Sequence, residues 1–351
     1  MVTVGFIGAG SIMQLRHVPE ARLNRKCAIS GFYNRRRSRA KNLADEYGGQ
    51  VYGTVEEMLA DATVQCVVIA TANSLHAPLT IQALKAGKHV LCEKPMAATI
   101  AECEEMIKAA QSTGRKLMLA HNMRLEPASK LAKDILSSGR LGAVTSFSAV
   151  MANRGPELWG IDKSMTSWFY DRSNAVFGAI GDLGVHKVDL MRWLLDDEID
   201  EVMAYLATVD KRRESGELVD LDDIAVAVMR TRRGVVGTLT AAWTFYGQEE
   251  YGTVIQCTEG TLRIYEDPDC TVAVLKRNGD IEKYKPYEQT VGSERHSGMM
   301  DSFIESIEKD SEPVVTGRDG LAAMRIVLAC VQSSKTGKAV RPSELDTPIS
   351  R

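Results

Sequence analysis

Residues 2–7, Val-Thr-Val-Gly-Phe-Ile, form a mostly apolar strand-like run that passes straight into Gly8-Ala9-Gly10-Ser11-Ile12. A strand followed at once by Gly-x-Gly constrains the chain more than any other stretch, because the next residues must turn tightly and enter a helix. The first turn of a helix carries N–H groups without intrahelical partners at the positive end of its dipole, so such a turn is shaped to receive a pyrophosphate. Gly8, Gly10, Ser11 and Ile12 are the candidates for that contact. Position 13 departs from the Gly-x-Gly-x-x-Gly/Ala fingerprint: Met13 stands where a small residue lets helix and strand approach closely. An ordinary tight turn has the same local sequence, so the rest of the chain must decide.

The first third continues the pattern. Strand-like runs at 2–7, 27–33, 64–70, 89–92 and 117–121 alternate with amphipathic segments, which predicts a doubly wound parallel sheet with helices on both faces. The run at 64–70 lacks polar alternation, as expected of a strand covered on both sides. Beyond residue 123 a helix at 125–137 leads to strand-like runs at 143–151, 200–209, 223–231, 234–244, 252–257, 260–265 and 271–276. Turn signals at Arg233-Gly234, Glu259-Gly260 and Asn278-Gly279 suit antiparallel hairpins. These runs predict a large, mostly antiparallel open sheet, with helices at about 181–195, 297–309 and 318–336 covering one face. The expectation is an α/β chain: a Rossmann domain over residues 1–123 and an α+β domain over 124–351, packed with a cleft between them.

At 351 residues and 44% hydrophobic, the chain is long enough to bury the cores of two domains. A net charge of −3 offers no field to attract nucleic acid or an anionic membrane surface. No apolar stretch reaches the roughly 18 residues of a membrane span, and no basic-then-apolar leader precedes the first strand. Seven scattered cysteines without a C-x-x-C pair suit a reducing compartment and no structural metal. A cytoplasmic protein is expected.

Ligands of doubly wound sheets bind beyond the carboxyl ends of the strands. After Tyr33 come Asn34 and Arg35-Arg36-Arg37-Ser38-Arg39. A carboxylate there would accept hydrogen bonds from an NAD ribose; this chain has none, and arginine suits a 2′-phosphate. NADP is therefore favoured over NAD, with Asn34, Arg35 and Arg39 as contacts, although Asn34 serves a plain ribose hydroxyl equally well. At least two of the four arginines are read as a solvated helix start. The run at 64–70 continues into Thr71-Ala72-Asn73-Ser74-Leu75-His76, and the run at 89–92 into Glu93-Lys94-Pro95. Thr71, Asn73, His76, Glu93, Lys94 and Asn122 join the cofactor candidates. Pro95 confines Lys94 to extended geometry and so fixes where its ammonium points. Farther on, Asp182 and His186 stand four apart on one helix, with Asp189 a further turn along. An imidazole beside carboxylates suits proton transfer, and a satisfied core histidine is the plainer alternative.

Taken in order, Gly8-x-Gly10, Thr71-x-Asn73-x-x-His76, Glu93-Lys94-Pro95, His121-Asn122-x-Arg124 and Asp182-x-Gly184-x-His186-x-x-Asp189 resemble the motifs of the Gfo/Idh/MocA family of glucose-fructose oxidoreductase, inositol dehydrogenase and rhizopine-catabolism proteins. The match covers essentially the whole chain, with Met13 and Ala72 as departures from a usual small residue and a common proline. The resemblance implies an NAD(P)-dependent oxidoreductase that moves a hydride between nicotinamide and a secondary hydroxyl or ketone of a sugar, glycoside or cyclitol. It places Lys94, Asp182 and His186 at the catalytic positions and a cis peptide bond before Pro95.

In that chemistry His186 takes the hydroxyl proton, Lys94 stabilises the oxygen and Asp182 orients substrate or imidazole. Asn122, Arg124, Trp168 and Tyr170 join these three as substrate contacts. An Arg124 bridging the domains is the alternative, as is core packing for one of the aromatics. Two other readings remain: an NAD-retaining glycosidase acting through a transient ketone, and a non-enzymatic dinucleotide-binding regulator, which has no need of proton transfer. A bare face on the large sheet predicts self-association through sheet packing, and the resemblance implies a homodimer or homotetramer.

Overall fold

Valine, isoleucine and leucine fill the strands of the first third, and they pair in parallel. In the computed structural model, which describes residues 1–161, 163–291 and 294–345, six strands form one sheet: β1 (Val2–Ile7), β2 (Cys27–Tyr33), β3 (Gln50–Val51), β4 (Cys66–Ile69), β5 (His89–Cys92) and β6 (Leu117–Leu119). Their order is β3-β2-β1-β4-β5-β6, so the winding reverses between β1 and β4, where sheets of this kind take their ligands. Every residue of β4 is buried, which accounts for its unbroken apolar sequence. Two-residue β3 was not among the expected strands; it is too short to show a pattern.

The chain separates into two units, and the first combines residues 1–122 with a short piece around Trp159 and the segment from Gln289 to Leu321. The helix Met299–Glu308, expected over the large sheet, belongs here instead. Glu20, only 1% exposed, accepts hydrogen bonds from the Ser297 N–H at 2.6 Å and the Ser297 hydroxyl at 3.0 Å just ahead of that helix. Farther along, the Leu119 N–H donates to the Val315 carbonyl at 3.1 Å, so the outer side of β6 is not left as a bare edge. An amphipathic pattern announces that a helix must bury one face, but it does not name the sheet that receives it.

The second unit is built on an eight-stranded sheet: β7 (Val144–Ala152), β8 (Ile199–Ala207), β9 (Ile224–Thr231), β10 (Val236–Ala242), β11 (Thr253–Cys257), β12 (Gly260–Asp267), β13 (Cys270–Lys276) and β14 (Ile281–Tyr284). The order is β14-β13-β12-β11-β7-β10-β9-β8. Only the β7–β10 pair is parallel. Along β9 the burial alternates, with Ala225, Ala227 and Met229 inside and Val226, Val228 and Arg230 outside.

The helix Val185–Leu195 is buried at nearly every position and packs on β7. It carries Lys187 at 0% exposure, whose ammonium donates to the carbonyls of Tyr251 (2.6 Å) and Gly252 (3.2 Å) and to the Thr253 hydroxyl (2.9 Å). Burial pushes this lysine down to about 7. The later turns of the helix Gly317–Thr336 lie along β8, where the Ser333 hydroxyl accepts the Ala204 N–H at 2.9 Å. No helix among the described residues is long and apolar enough to cross a membrane.

Candidate active site

In the first unit the glycine turn divides its work. Gly8 has φ +104°, and a Cβ on it would lie 2.0 Å from the Ala70 carbonyl oxygen, so the turn itself demands glycine. A Cβ on Gly10 would meet nothing within 4 Å, and its backbone is not left-handed. The chain has no need of glycine there, whereas a pyrophosphate approaching the backbone does. Met13 is fully buried and is the first residue of a wide π turn, Met13–His17, that follows helical Ser11 and Ile12. The Ser11 hydroxyl donates to the Trp159 carbonyl at 3.4 Å.

At the end of β2 the Asn34 carboxamide accepts the Ala9 N–H (3.1 Å) and donates to the Arg36 carbonyl (3.0 Å). Its amide is therefore committed to tying the glycine turn to β2. Arg35, Arg36 and Arg37 are exposed, and Arg39 is half-buried. A spare cradle at Gly10, a helix start and a cationic strand end without a carboxylate together fit a dinucleotide. Thr71 and Asn73 follow β4 and Asn122 follows β6, all at carboxyl ends of strands.

Val90 to Ala97 is a buried run in which Lys94 alone keeps part of its surface. The Lys94–Pro95 bond is cis. Glu93, expected at the cofactor, has both oxygens engaged within the chain: Oε1 accepts from His17 Nε2 at 2.7 Å and Oε2 accepts the Lys94 N–H at 3.1 Å. Burial pushes its carboxyl up, but the hydrogen bond and charge of His17, with Lys94 and Arg16, hold it down at about 2. His76, another expected cofactor contact, is 1% exposed and donates through Nδ1 to the Pro95 carbonyl at 2.8 Å, which leaves the ring no surface to offer a ligand. Burial lowers its pKa. Sequence reasoning gave His17 no role; its only signal was a polar residue on the inward face of the first helix.

In the second unit Asp182 lies in a π turn, Ile180–Gly184, that leads into the helix bearing His186. The predicted regular helix from 181 is thus replaced at its start by a wider turn, with both residues still buried. The indole Nε1 of the fully buried Trp243 donates to Asp182 Oδ2 at 3.1 Å. Asp222 accepts the Gly178 N–H at 3.1 Å and the Ile180 N–H at 2.8 Å, and so fixes the turn's approach. Burial pushes its carboxyl up to about 7 against the pull of those N–H groups. Asp222 was missed, and nothing in Leu221-Asp222-Asp223 alone distinguished it.

Two expected substrate contacts have polar groups engaged within the protein. Arg124 grips Asp189 with Nε to Oδ2 at 2.7 Å and Nη2 to Oδ1 at 2.5 Å, both side chains buried, so two of its nitrogens are committed to the protein and Asp189 is drawn away from proton transfer. Tyr170 is 2% exposed, gives its hydroxyl to Glu157 and meets Trp243 edge-on at 5.8 Å; it is a core residue. Trp168 stacks on Phe169 at 3.9 Å and stays half-buried, with surface to spare.

Residues 2–121 match the Gfo/Idh/MocA model described as oxidoreductase family, NAD-binding Rossmann fold, and residues 129–263 match the Gfo/Idh/MocA C-terminal domain. A 1,5-anhydro-D-fructose reductase of Ensifer adhaerens is 31% identical over 319 residues, 89% of either chain. The chain belongs to the Gfo/Idh/MocA family. It is an oxidoreductase with an NAD-binding Rossmann fold. Another member of the family, an inositol 2-dehydrogenase of Rhizobium meliloti strain 1021, is 26% identical over 335 residues, 95% of this chain and 96% of that one. A crystallised levoglucosan dehydrogenase in complex with NADH and levoglucosan shares the Gfo/Idh/MocA chain's fold, with a TM-score of 0.86 over 98% of this chain and 100% of that one at 24% identity.

Proposed function

We propose that this Gfo/Idh/MocA oxidoreductase moves a hydride between NAD(P) and a secondary hydroxyl, or the matching ketone, of a sugar, glycoside or cyclitol. The observation that carries the reading is the relative spanning 89% of the chain, which is a 1,5-anhydro-D-fructose reductase; the inositol 2-dehydrogenase supports a cyclitol as the other substrate class. When bound, the dinucleotide supplies a nicotinamide carbon that accepts or gives up hydride.

Oxidation also requires the hydroxyl proton to leave, and His186 is assigned to it, an imidazole being suited to proton exchange near neutrality. Lys94 donates to the same oxygen and offsets its developing negative charge, an effect worth about 3 kcal/mol for a comparable donor. Asp182, held by Trp243, orients the imidazole or a substrate hydroxyl. Asn122 and Trp168 contact the substrate, while Arg124 and Tyr170 support the site through Asp189 and Glu157. In reduction the same groups work in reverse.

Of the two dinucleotides NADP is the proposed partner, because no carboxylate stands between Tyr33 and Arg39 and the Asn34 amide is engaged elsewhere. The enzyme is proposed to act in the cytoplasm as a homodimer or homotetramer, associating through the outer face of β8, β9 and β10, where Tyr205, Val226, Val228 and Val236 are exposed.

A spectrophotometric screen of sugars and cyclitols against NAD and NADP tests the reading. The expected result is stoichiometric reduced cofactor with at least one polyol, a higher kcat/KM with NADP that Arg35→Ala erodes, and about 100-fold or greater losses in kcat for Lys94→Ala and His186→Ala. Aglycone released with no net reduced cofactor would replace it with an NAD-retaining glycosidase. Full cellular activity in both variants would replace it with a regulator.

A further inference from the structure

Lys94 is the one residue with exposed surface in the buried run Val90–Ala97, and the backbone on both sides of it is pinned by a buried histidine. On the N-terminal side the carboxylate of Glu93 folds back to accept the Lys94 N–H at 3.1 Å, while its other oxygen is held by His17 Nε2 at 2.7 Å. On the C-terminal side His76 Nδ1 donates to the Pro95 carbonyl at 2.8 Å, and because the proline ring locks φ, holding that carbonyl also fixes the peptide that follows Lys94. His17 belongs to the turn Met13–His17, in the helical segment that begins at the glycine turn.

A lysine side chain swings on four rotatable bonds, so the direction in which its Cα–Cβ bond leaves the backbone decides which region the ammonium samples. Neither histidine touches solvent enough to bind a ligand. Pairing favours the ionised Glu93 over its protonated form, but for stability alone an apolar filling of similar volume would serve as well. What the pair does accomplish is to present a fixed acceptor to the Lys94 N–H.

We propose that Glu93 and His17 on one side and His76 on the other are positioning residues that aim the Lys94 ammonium at the substrate oxygen. The proposal rests on the catalytic reading of Lys94 given above. These residues act through Lys94 and not on the substrate, so their loss matters only while Lys94 is present.

The test is a mutant cycle on the full-length enzyme, measuring kcat, KM for the polyol and the Kd of reduced dinucleotide. Glu93→Ala is expected to lower kcat by about 100-fold, the effect of roughly 1 Å of misplacement, with the dinucleotide Kd unchanged. Glu93→Gln, whose carboxamide oxygen still accepts the Lys94 N–H, is expected to recover most of that loss. In the Lys94→Ala background, Glu93→Ala and His76→Ala are expected to add no further loss. A full additional loss in that background overturns the proposal, as does a Glu93→Ala enzyme with wild-type kcat. Should Glu93→Ala fail to fold, His17→Ala, which releases the carboxylate but keeps it, carries the same comparison. Wild-type kcat in Lys94→Ala alone is a separate outcome that removes the catalytic reading of Lys94, and the proposal with it.

Discussion

Gly8 and Gly10 are two residues apart and answer to different demands. Gly8→Ala would put a methyl against the Ala70 carbonyl at a left-handed φ. It is expected to lower stability by about 1–3 kcal/mol, read as a urea-midpoint shift without cofactor. Gly10→Ala meets no protein atom, so the midpoint should stay and the dinucleotide Kd should rise; an unchanged Kd would take the pyrophosphate away from this turn.

Glu93 makes a pH-dependent contribution. Its carboxyl is held at about 2 against an ordinary value of 4.5, so the stability it contributes is present above pH 4.5 and lost as the pH falls toward 2, on the order of 3 kcal/mol in all. Between pH 5 and pH 3 the wild type is expected to lose about 2 kcal/mol more than Glu93→Gln in urea titrations; parallel curves would contradict the pairing. Motif spacing singled out Lys94, Asp182 and His186 as candidates, but it did not show which of their polar neighbours are engaged within the chain. That distinction lies in which polar groups the chain itself occupies, and Glu93, His76, Arg124 and Tyr170 all give theirs to neighbours within the protein. A single sequence reports burial only through periodicity, and along Val185–Leu195, buried almost throughout, periodicity vanishes.

The helix Val185–Leu195 is anchored as an element by Lys187, whose three acceptors lie at Tyr251, Gly252 and Thr253. Lys187→Met takes the donor from the Tyr251 carbonyl and the Thr253 hydroxyl, while the Gly252 carbonyl keeps the Val150 N–H at 2.9 Å. The change is expected to cost about 2 kcal/mol, measured by chemical denaturation; a cost under about 0.5 kcal/mol, the scale of ordinary surface substitutions, would mean that the ammonium does not hold the helix. At this scale most of the fold was legible. Apolar runs marked β1, β2, β4, β5 and β6 and nearly all of the large sheet, while two-residue β3 was too short to register and β14, with Glu282 and Lys283 at its centre and no buried residue, has no apolar run to read. The π turns at Met13–His17 and Ile180–Gly184 were invisible, because one extra residue in a turn does not change which residue types are buried. The destination of Met299–Glu308 was equally hidden, since it depends on Glu20, far away in sequence.

On the scale of the whole molecule, the outer face of β8, β9 and β10 carries Tyr205 opposite Val226, and Val228 opposite Thr238. If this face joins two copies, Val228→Lys should leave folding intact, as a surface change on a strand, and shift sedimentation from dimer or tetramer to monomer. A wild-type monomer at micromolar concentration would contradict the association. Strand content was readable from the sequence, but the order β3-β2-β1-β4-β5-β6 and the parallel β7–β10 pair were not, because pairing partners leave no local mark.

The return of residues 289–321 to the first unit has a consequence for synthesis. When a ribosome has made the six parallel strands, Glu20 has no Ser297 to receive and Leu119 has no Val315. At roughly 5–20 residues per second, those partners emerge on the order of ten seconds later. Until translation passes Leu321 the nascent dinucleotide unit carries an open edge along β6 and a buried carboxylate without its donors.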